Sequence, residues 1–439
     1  MRRRLAALAL PAALLAASPA LAQQLAFPGA EGFGRYATGG RGGTVHHVTN
    51  LNDTGSGSLR ACVNASGART CVFRVGGTIT LASILQPAAG RLTIAGDTAP
   101  GGGIQLRLSP SVKTPLLRIQ VPDVVIRNIR MRRGATSLSA APTGTCCGDT
   151  VSLMSGANRV IFDRVSIGFS TDENVNPSAS LNLTIQNSII SYGLRFSTSA
   201  DTVSDPNQHH SMGVLISENA GNTSLINNLL AFNANRNPRI QSGANEVCGN
   251  VVYGATFNPI TISAGTANVI GNRFDRKPTN GWSYVIATSG SARVHQSGNV
   301  LPSGGTMLAS GAATQGTPYA TPSCAGKTPV SLADVGPMPR DSLDVLTVQH
   351  VEAGTGRLID DPSEVGGWPT LANGTPYPDL DKDGMNDDWE RANGLNPGSA
   401  ADGAAIGPDG YSNLERFVTS IVTGQTPAPS PEEPEQPCN

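Results

Sequence analysis

The chain has 439 residues, room for one large domain or several small ones. A formal net charge of −1 and a charged fraction of only 14% exclude the basic stripe that a nucleic-acid-binding surface needs. Aromatic residues make up 5% while glycine fills 51 positions and short aliphatic runs recur, a mixture suited to tight turns and short strands rather than to helix bundles.

At the N-terminus, Met1-Arg2-Arg3-Arg4 precedes an apolar run that closes on Ser18-Pro19-Ala20-Leu21-Ala22. A basic start, an apolar centre and an A-x-A ending describe a signal peptide over residues 1–22, cleaved after Ala22, so the mature chain is expected to be secreted, extracellular or periplasmic. No later stretch is long and apolar enough to span a bilayer, so no membrane partner is expected. Seven cysteines suit an exported chain: Cys62, Cys71, Cys146, Cys147, Cys248, Cys324 and Cys438. Cys62 and Cys71 flank a short polar turn, which favours a local disulfide. The adjacent Cys146 and Cys147 are too cramped to bridge each other, and the odd total leaves at least one thiol unassigned.

In the middle of the chain one pattern recurs: aliphatics, a spacer, an asparagine, more aliphatics. It reads Val124-Val125-Ile126-Arg127-Asn128-Ile129, then Leu183-Thr184-Ile185-Gln186-Asn187-Ser188-Ile189, Leu225-Ile226-Asn227-Asn228-Leu229-Leu230, Val247-Cys248-Gly249-Asn250-Val251-Val252 and Val269-Ile270-Gly271-Asn272. Val160-Ile161-Phe162-Asp163-Arg164-Val165 fits with arginine at the asparagine place. From Asn128 the steps are 36 to Arg164, 23 to Asn187, 41 to Asn228, 22 to Asn250 and 22 to Asn272. A minimal step of 22 residues matches one coil of a parallel β-helix, three short strands joined by turns. Asparagine suits the corner, since it tolerates left-handed backbone and can hydrogen-bond its counterpart one coil on. A β-sandwich would show alternation and hairpin signals instead. Residues 23–330 are therefore read as the solenoid, and the long steps as loops leaving one side, which commonly form a binding face.

Those loops and their flanks hold Thr145-Cys146-Cys147-Gly148-Asp149, Ser170-Thr171-Asp172-Glu173-Asn174, Gly193-Leu194-Arg195 and His209-His210-Ser211-Met212-Gly213, and the next coil ends in Asn235-Arg236-Asn237-Pro238-Arg239. Equivalent positions of neighbouring coils stack about 4.8 Å apart, so residues scattered in sequence can line one groove. Carboxylates there suit a hard cation and arginines suit substrate carboxylates.

Together with Ala26-Phe27-Pro28-Gly29-Ala30-Glu31-Gly32-Phe33-Gly34, Gly55-Ser56-Gly57-Ser58-Leu59-Arg60, Val75-Gly76-Gly77-Thr78-Ile79 and Thr93-Ile94-Ala95-Gly96-Asp97-Thr98-Ala99-Pro100-Gly101, these motifs resemble the compact branch of the pectate lyase family over residues 27–300. The resemblance implies an all-β, right-handed parallel β-helix that cleaves α-1,4-polygalacturonate, an acidic polysaccharide, by β-elimination with Ca2+. By position, Asp149 resembles the first calcium ligand, Asp172 and Glu173 fall where later acidic ligands belong, and Arg236 resembles the catalytic base. Arg195 stands near a substrate-binding lysine's place, Arg239 would hold a substrate carboxylate, and His209 and His210 are candidate substrate donors. The chain departs from the family in three places: Gln241 stands where a second arginine is usual, Asp163-Arg164 replaces Asp-His, and Asp172 and Glu173 are adjacent rather than four apart. An arginine base requires burial and neighbouring cations to favour its neutral form.

Beyond residue 330 the repeat fades into a Pro-rich extension over residues 331–370. In the module at residues 371–420, Asp379, Asp381, Asp383, Asp387 and Glu390 fall at positions 1, 3, 5, 9 and 12 of a loop with glycine at 6, and Met385 would lend its carbonyl. This is the calcium-loop pattern of an EF-hand without an entering helix, since Pro378 precedes it, and it resembles the modules of dockerins and thrombospondin-type repeats. A second copy near Pro408-Asp409-Gly410 has Ala405, Gly407 and Arg416 at ligand places and is expected to hold no metal. Residues 421–439, rich in Pro and Glu, are expected to be disordered. A monomer is expected. Lyase action on another uronate polymer, or non-catalytic carbohydrate binding, are the alternative functions.

Overall fold

The computed structural model describes residues 23–423 except 111, 135–147, 196–209, 276–281, 283, 304 and 309–321. Three parallel sheets of ten, eight and eight strands run the length of a β-helix. One coil takes Pro122–Arg127 in the first sheet, Ile129–Arg132 in the second and Val151–Leu153 in the third, then returns to the first at Asn158–Asp163. Val124 pairs with Val160 and Val160 with Leu183, while Ile126, Phe162 and Ile185 do the same one pleat on. These inward side chains are buried in one continuous core that no single coil could close. Each contributes about 1.5–3 kcal/mol by leaving water.

The repeated asparagine turns out to hold two posts. At the corner between the first and second sheets the left-handed residue is Asn128, Arg164 and Asn187, with φ of 52° at each. In later coils the corner passes to Asn227, Gly249 and Gly271, one place earlier than expected. Asn228, Asn250 and Asn272 follow it and turn inward as a buried ladder, Asn228 Nδ2 donating to Asn250 Oδ1 (3.0 Å) and Asn250 Nδ2 to Asn272 Oδ1 (2.9 Å). The step of 41 thus spans a corner residue and a ladder residue.

Two outer faces are covered. Phe27, Ala30 and Ala37 pack on Val125 and Ile161 of the first sheet, and Met385, Leu414, Phe417 and Val418 pack on its Val72 and Ala95. Residues 331–370 form more than a linker: Leu332, Val335, Leu343, Val348 and Val351 cover Ile189, Leu229 and Val251 of the second sheet. Their helix, Ser342–Glu352, is N-capped by Asp341, and Asp341 and Asp344 pair with the buried Arg132 at 2.5 and 2.8 Å. No apolar cluster of described residues covers the outer face of the third sheet. Disulfides join Cys62 to Cys71, as expected, and Cys248 to Cys324, which spacing did not suggest. Cys146, Cys147 and Cys438, the signal peptide and the tail from 424 lie outside the described residues. Residues 421–423, expected in the disordered tail, close the helix Asn413–Thr423, which is anchored in its earlier turns by Leu414, Phe417 and Val418.

Candidate active site

The site residues enter at the corner that leads from the second sheet into the third. Asp149 lies just before the strand Val151–Leu153, Asp172 just before Glu173–Pro177, His210 before Met212–Ile216, and Arg236 before Arg239–Ile240. Register aligns these entries: Val175 pairs with Val151, Glu173 with Met212, and Met212 bridges to Asn235. Consecutive coils thus carry Asp149, then Asp172 and Glu173, then His210, then Arg236 to one edge. Asp149, Asp172 and Glu173 each place a carboxylate oxygen within 4.8 Å of the others.

Asp149 is nearly fully buried and accepts from Ser152 Oγ (2.6 Å) and the Glu173 amide (3.3 Å). Burial, and next the Asp172 charge, push its carboxyl up to about 7. Asp172 lies 2.7 Å from His210 Nε2, and Glu173 is ion-paired with Arg236. Arg236 has left-handed backbone (φ 62°), its amide donating to Asn235 Oδ1 at 2.7 Å. Behind it Asn174 donates to Asn233 Oδ1 (2.9 Å) and Asn233 to Asn237 Oδ1 (3.1 Å), fixing the corner relative to the coil below. Burial lowers the pKa of Arg236, Arg239 pushes the same way, and Asp172 and Asp149 oppose them.

Arg133 is a site neighbour that the sequence reading missed. It is buried, donates to Thr171 Oγ1, Gly134 O and Thr114 O at 3.0 Å each, and faces the charges of Asp149 and Asp172. Burial lowers its pKa to about 10. Arg133 directly follows the strand Ile129–Arg132, and no spacing in the sequence announces its contacts.

This arrangement, carboxylates and arginines on successive coils of a parallel β-helix, can be set beside known proteins. No family model matches the chain. A protein named probable pectate lyase C from Aspergillus fumigatus is 35% identical, with 93% of this chain and 96% of that one covered. A protein of the same name from Neosartorya fischeri is 36% identical over the same shares. The chain belongs to the pectate lyase family. It is therefore a polysaccharide lyase, which sets aside a purely carbohydrate-binding role. Among solved structures, Jun a 1, the major allergen of cedar pollen, matches with a TM-score of 0.53 at 20% identity, covering 68% of this chain and 88% of that one, a likeness of fold.

Other expected residues of the lyase fall differently. The Arg195 backbone carbonyl accepts from the His210 amide (2.8 Å), but its guanidinium grips Asp360 of the extension at 2.7 and 2.8 Å. Arg239 lies in the third sheet, in register with Leu215 and Thr261. His209 lies outside the described residues. In the C-terminal loop, Asp381, Asp383 and Glu390 converge as the spacing implied, joined by Asp402, which the linear pattern did not include; these four lie within 4.8 Å of one another. Asp379 falls outside that set, with Oδ2 at 3.5 Å from Arg74 and 3.9 Å from His47. Asp387 Oδ1 accepts from the Leu380 amide (2.8 Å), and the Met385 side chain is buried against the first sheet. Arg416, at a ligand place of the second copy, pairs with Asp409 at 2.6 Å.

Proposed function

We propose that the chain is an exported pectate lyase that cleaves α-1,4-polygalacturonate by calcium-dependent β-elimination, with Arg236 as base. The observation that carries this reading is the convergence of Asp149, Asp172 and Glu173 beside Arg236 on the uncovered sheet. All three are oxygen donors, and two are buried, a donor set that fits a hard divalent cation. Calcium held there would neutralise the uronate carboxylate and so favour loss of the adjacent C5 proton.

The residues supply the rest. In its neutral form Arg236 takes the C5 proton, the electron pair forms the C4–C5 double bond, and the C4–O bond breaks with its electrons on the leaving sugar's oxygen, which takes a proton from water. Glu173 stabilises the charged guanidinium, so the base is favoured when that carboxylate is engaged elsewhere; burial and Arg239 then favour neutrality. Arg239, and His210 oriented by Asp172, are assigned to hold the substrate. The C-terminal acidic loop is assigned a second, structural calcium.

Incubation with polygalacturonate should generate the ultraviolet absorbance of the unsaturated product, abolished by chelator and restored by Ca2+. Activity on a different uronate polymer alone would shift the substrate; activity indifferent to chelator would overturn the calcium reading.

A further inference from the structure

We infer that Asp402, from a turn outside the calcium loop, is a fourth carboxylate ligand of the C-terminal cation, so that one ion staples the last helix to the loop and thereby to the β-helix. This rests on the proposed calcium binding of the module and adds what that ion does.

The oxygens divide cleanly. Asp381 Oδ1 accepts from the Asp383 amide (3.2 Å), Asp383 Oδ1 from the Met385 amide (2.9 Å) and Asp402 Oδ2 from the Asn396 amide (3.0 Å). The other oxygen of each, together with both oxygens of the fully buried Glu390, has no hydrogen-bond partner. Among the described residues, no basic side chain forms an ion pair with any of the four. Burying such a set without a counter-charge costs several kcal/mol per ion, so the fold presupposes a cation. Oxygen donors in this number suit calcium. Gly403 is part of the cradle, since a Cβ there would sit 2.4 Å from Asp383 Oδ2.

Asp402 matters because of where its turn leads. Asn413 Nδ2 donates to Asp402 O (2.9 Å), the Leu414 amide to Gly403 O (3.0 Å) and the Asn413 amide to Ala405 O (3.1 Å). These bonds hold the start of the helix Asn413–Thr423, whose Leu414, Phe417 and Val418 cover Val72 and Ala95 of the first sheet. On the other side of the ion the loop is tied to the same coils, through His47 Nε2 with Lys382 O at 3.0 Å and through Arg74 with Tyr377 O. Cation binding is thus linked to docking of the last helix.

The test is calcium titration calorimetry on the full-length, chelator-stripped protein, with hydrogen exchange of the helix amides read alongside. Wild type should show two classes of site, and calcium at the second should slow exchange over residues 413–423. Asp402→Asn and Glu390→Gln should each weaken that class by at least roughly tenfold, the smaller loss usual even for partners one shell further out, and abolish the slowing. Asp149→Asn should remove only the other class. Weakening by Glu390→Gln with Asp402→Asn unchanged would overturn the proposal and leave the calcium loop standing. If neither variant alters binding, the loop itself binds no calcium and both readings fall. Should Asp402→Asn not fold, Gly403→Ala decides: crowding Asp383 must weaken the same class, and unchanged affinity and exchange overturn the proposal.

Discussion

Two acidic groups, one on the third sheet and one behind the last helix, are built from the same side chains and are compensated in opposite ways. Around Asp149, Asp172 and Glu173 the protein supplies its own partners: Arg236 pairs with Glu173, His210 lies on Asp172, and Arg133 is buried beside both aspartates. Around Asp381, Asp383, Glu390 and Asp402 no basic partner is present among the described residues, and five oxygens face one another without donors. A site that handles an anionic polymer needs charges that can be re-paired as substrate arrives and leaves. A site that only holds two segments together needs one strong, constant counter-charge. The number and placement of arginines therefore separates the two proposed roles better than the carboxylates do.

The sharpest way to break this contrast is Arg236→Lys. Lysine keeps the charge beside Glu173 but not the geometry, so turnover should fall by about 10²- to 10⁴-fold, the usual worth of a positioned general base, while KM changes little. Initial rates of unsaturated-product formation read it; near-normal turnover would remove Arg236 from the chemistry. A third charged cluster tests the idea of internal compensation. Asp344 lies between Arg130 and Arg132, both buried, at 3.4 and 2.8 Å. Asp344→Asn should destabilise the fold by about 3 kcal/mol, because it leaves two buried guanidiniums to share the single carboxylate of Asp341. Urea unfolding should show that loss equally with calcium and with chelator; a loss confined to one condition would mean that the extension's docking depends on the ion.

The solenoid was legible because its constraint is periodic: inward aliphatics must repeat coil by coil, so the step of 22 appears in the sequence itself. The corner and the ladder were not separated, because asparagine serves both and only backbone angles distinguish Asn227 from Asn228. Asp149, Asp172, Glu173 and Arg236 could be picked out because their motifs resemble those of the pectate lyase family, and the strand register shows that successive coils carry them to one edge. Arg133 and Asp402 could not, since each gains its meaning from a contact that no fixed spacing announces. The same holds for Arg195, whose partner Asp360 lies 165 residues away in a segment that reads as a plain extension.

A smaller effect concerns Asp149. Its carboxyl is raised from 3.8 to about 7 by burial and by Asp172, so between those values the folded state keeps a proton that the unfolded chain has lost. Its contribution in chelator is therefore most favourable at low pH and declines as pH rises toward 7. The calcium proposed for this groove would need the ionised form, so its affinity should strengthen over the same interval. Melting in chelator and calcium titration at about pH 5 and pH 8, each compared with Asp149→Asn, read the two slopes. A wild-type affinity independent of pH would show that Asp149 is already ionised at the lower value.

The least effect is expected from Arg195→Ala, and it bears on where the substrate-binding edge of the groove ends. Two of the guanidinium's donors are engaged by the Asp360 carboxylate, and the pair is about one-third exposed on each side. A pair so placed is worth at most about 1 kcal/mol, and its loss should move the melting temperature only slightly. If Arg195 also held a substrate carboxylate, removing that charged hydrogen bond would cost about 1.5–3 kcal/mol and raise KM tenfold or more. Engagement by Asp360 predicts a KM within about twofold of wild type, because the substrate would have to displace a carboxylate that is already bidentate. Asp360→Asn separates the cases further: it frees the guanidinium, so a KM that falls in this variant alone would place Arg195 within reach of the polymer and held back by its partner.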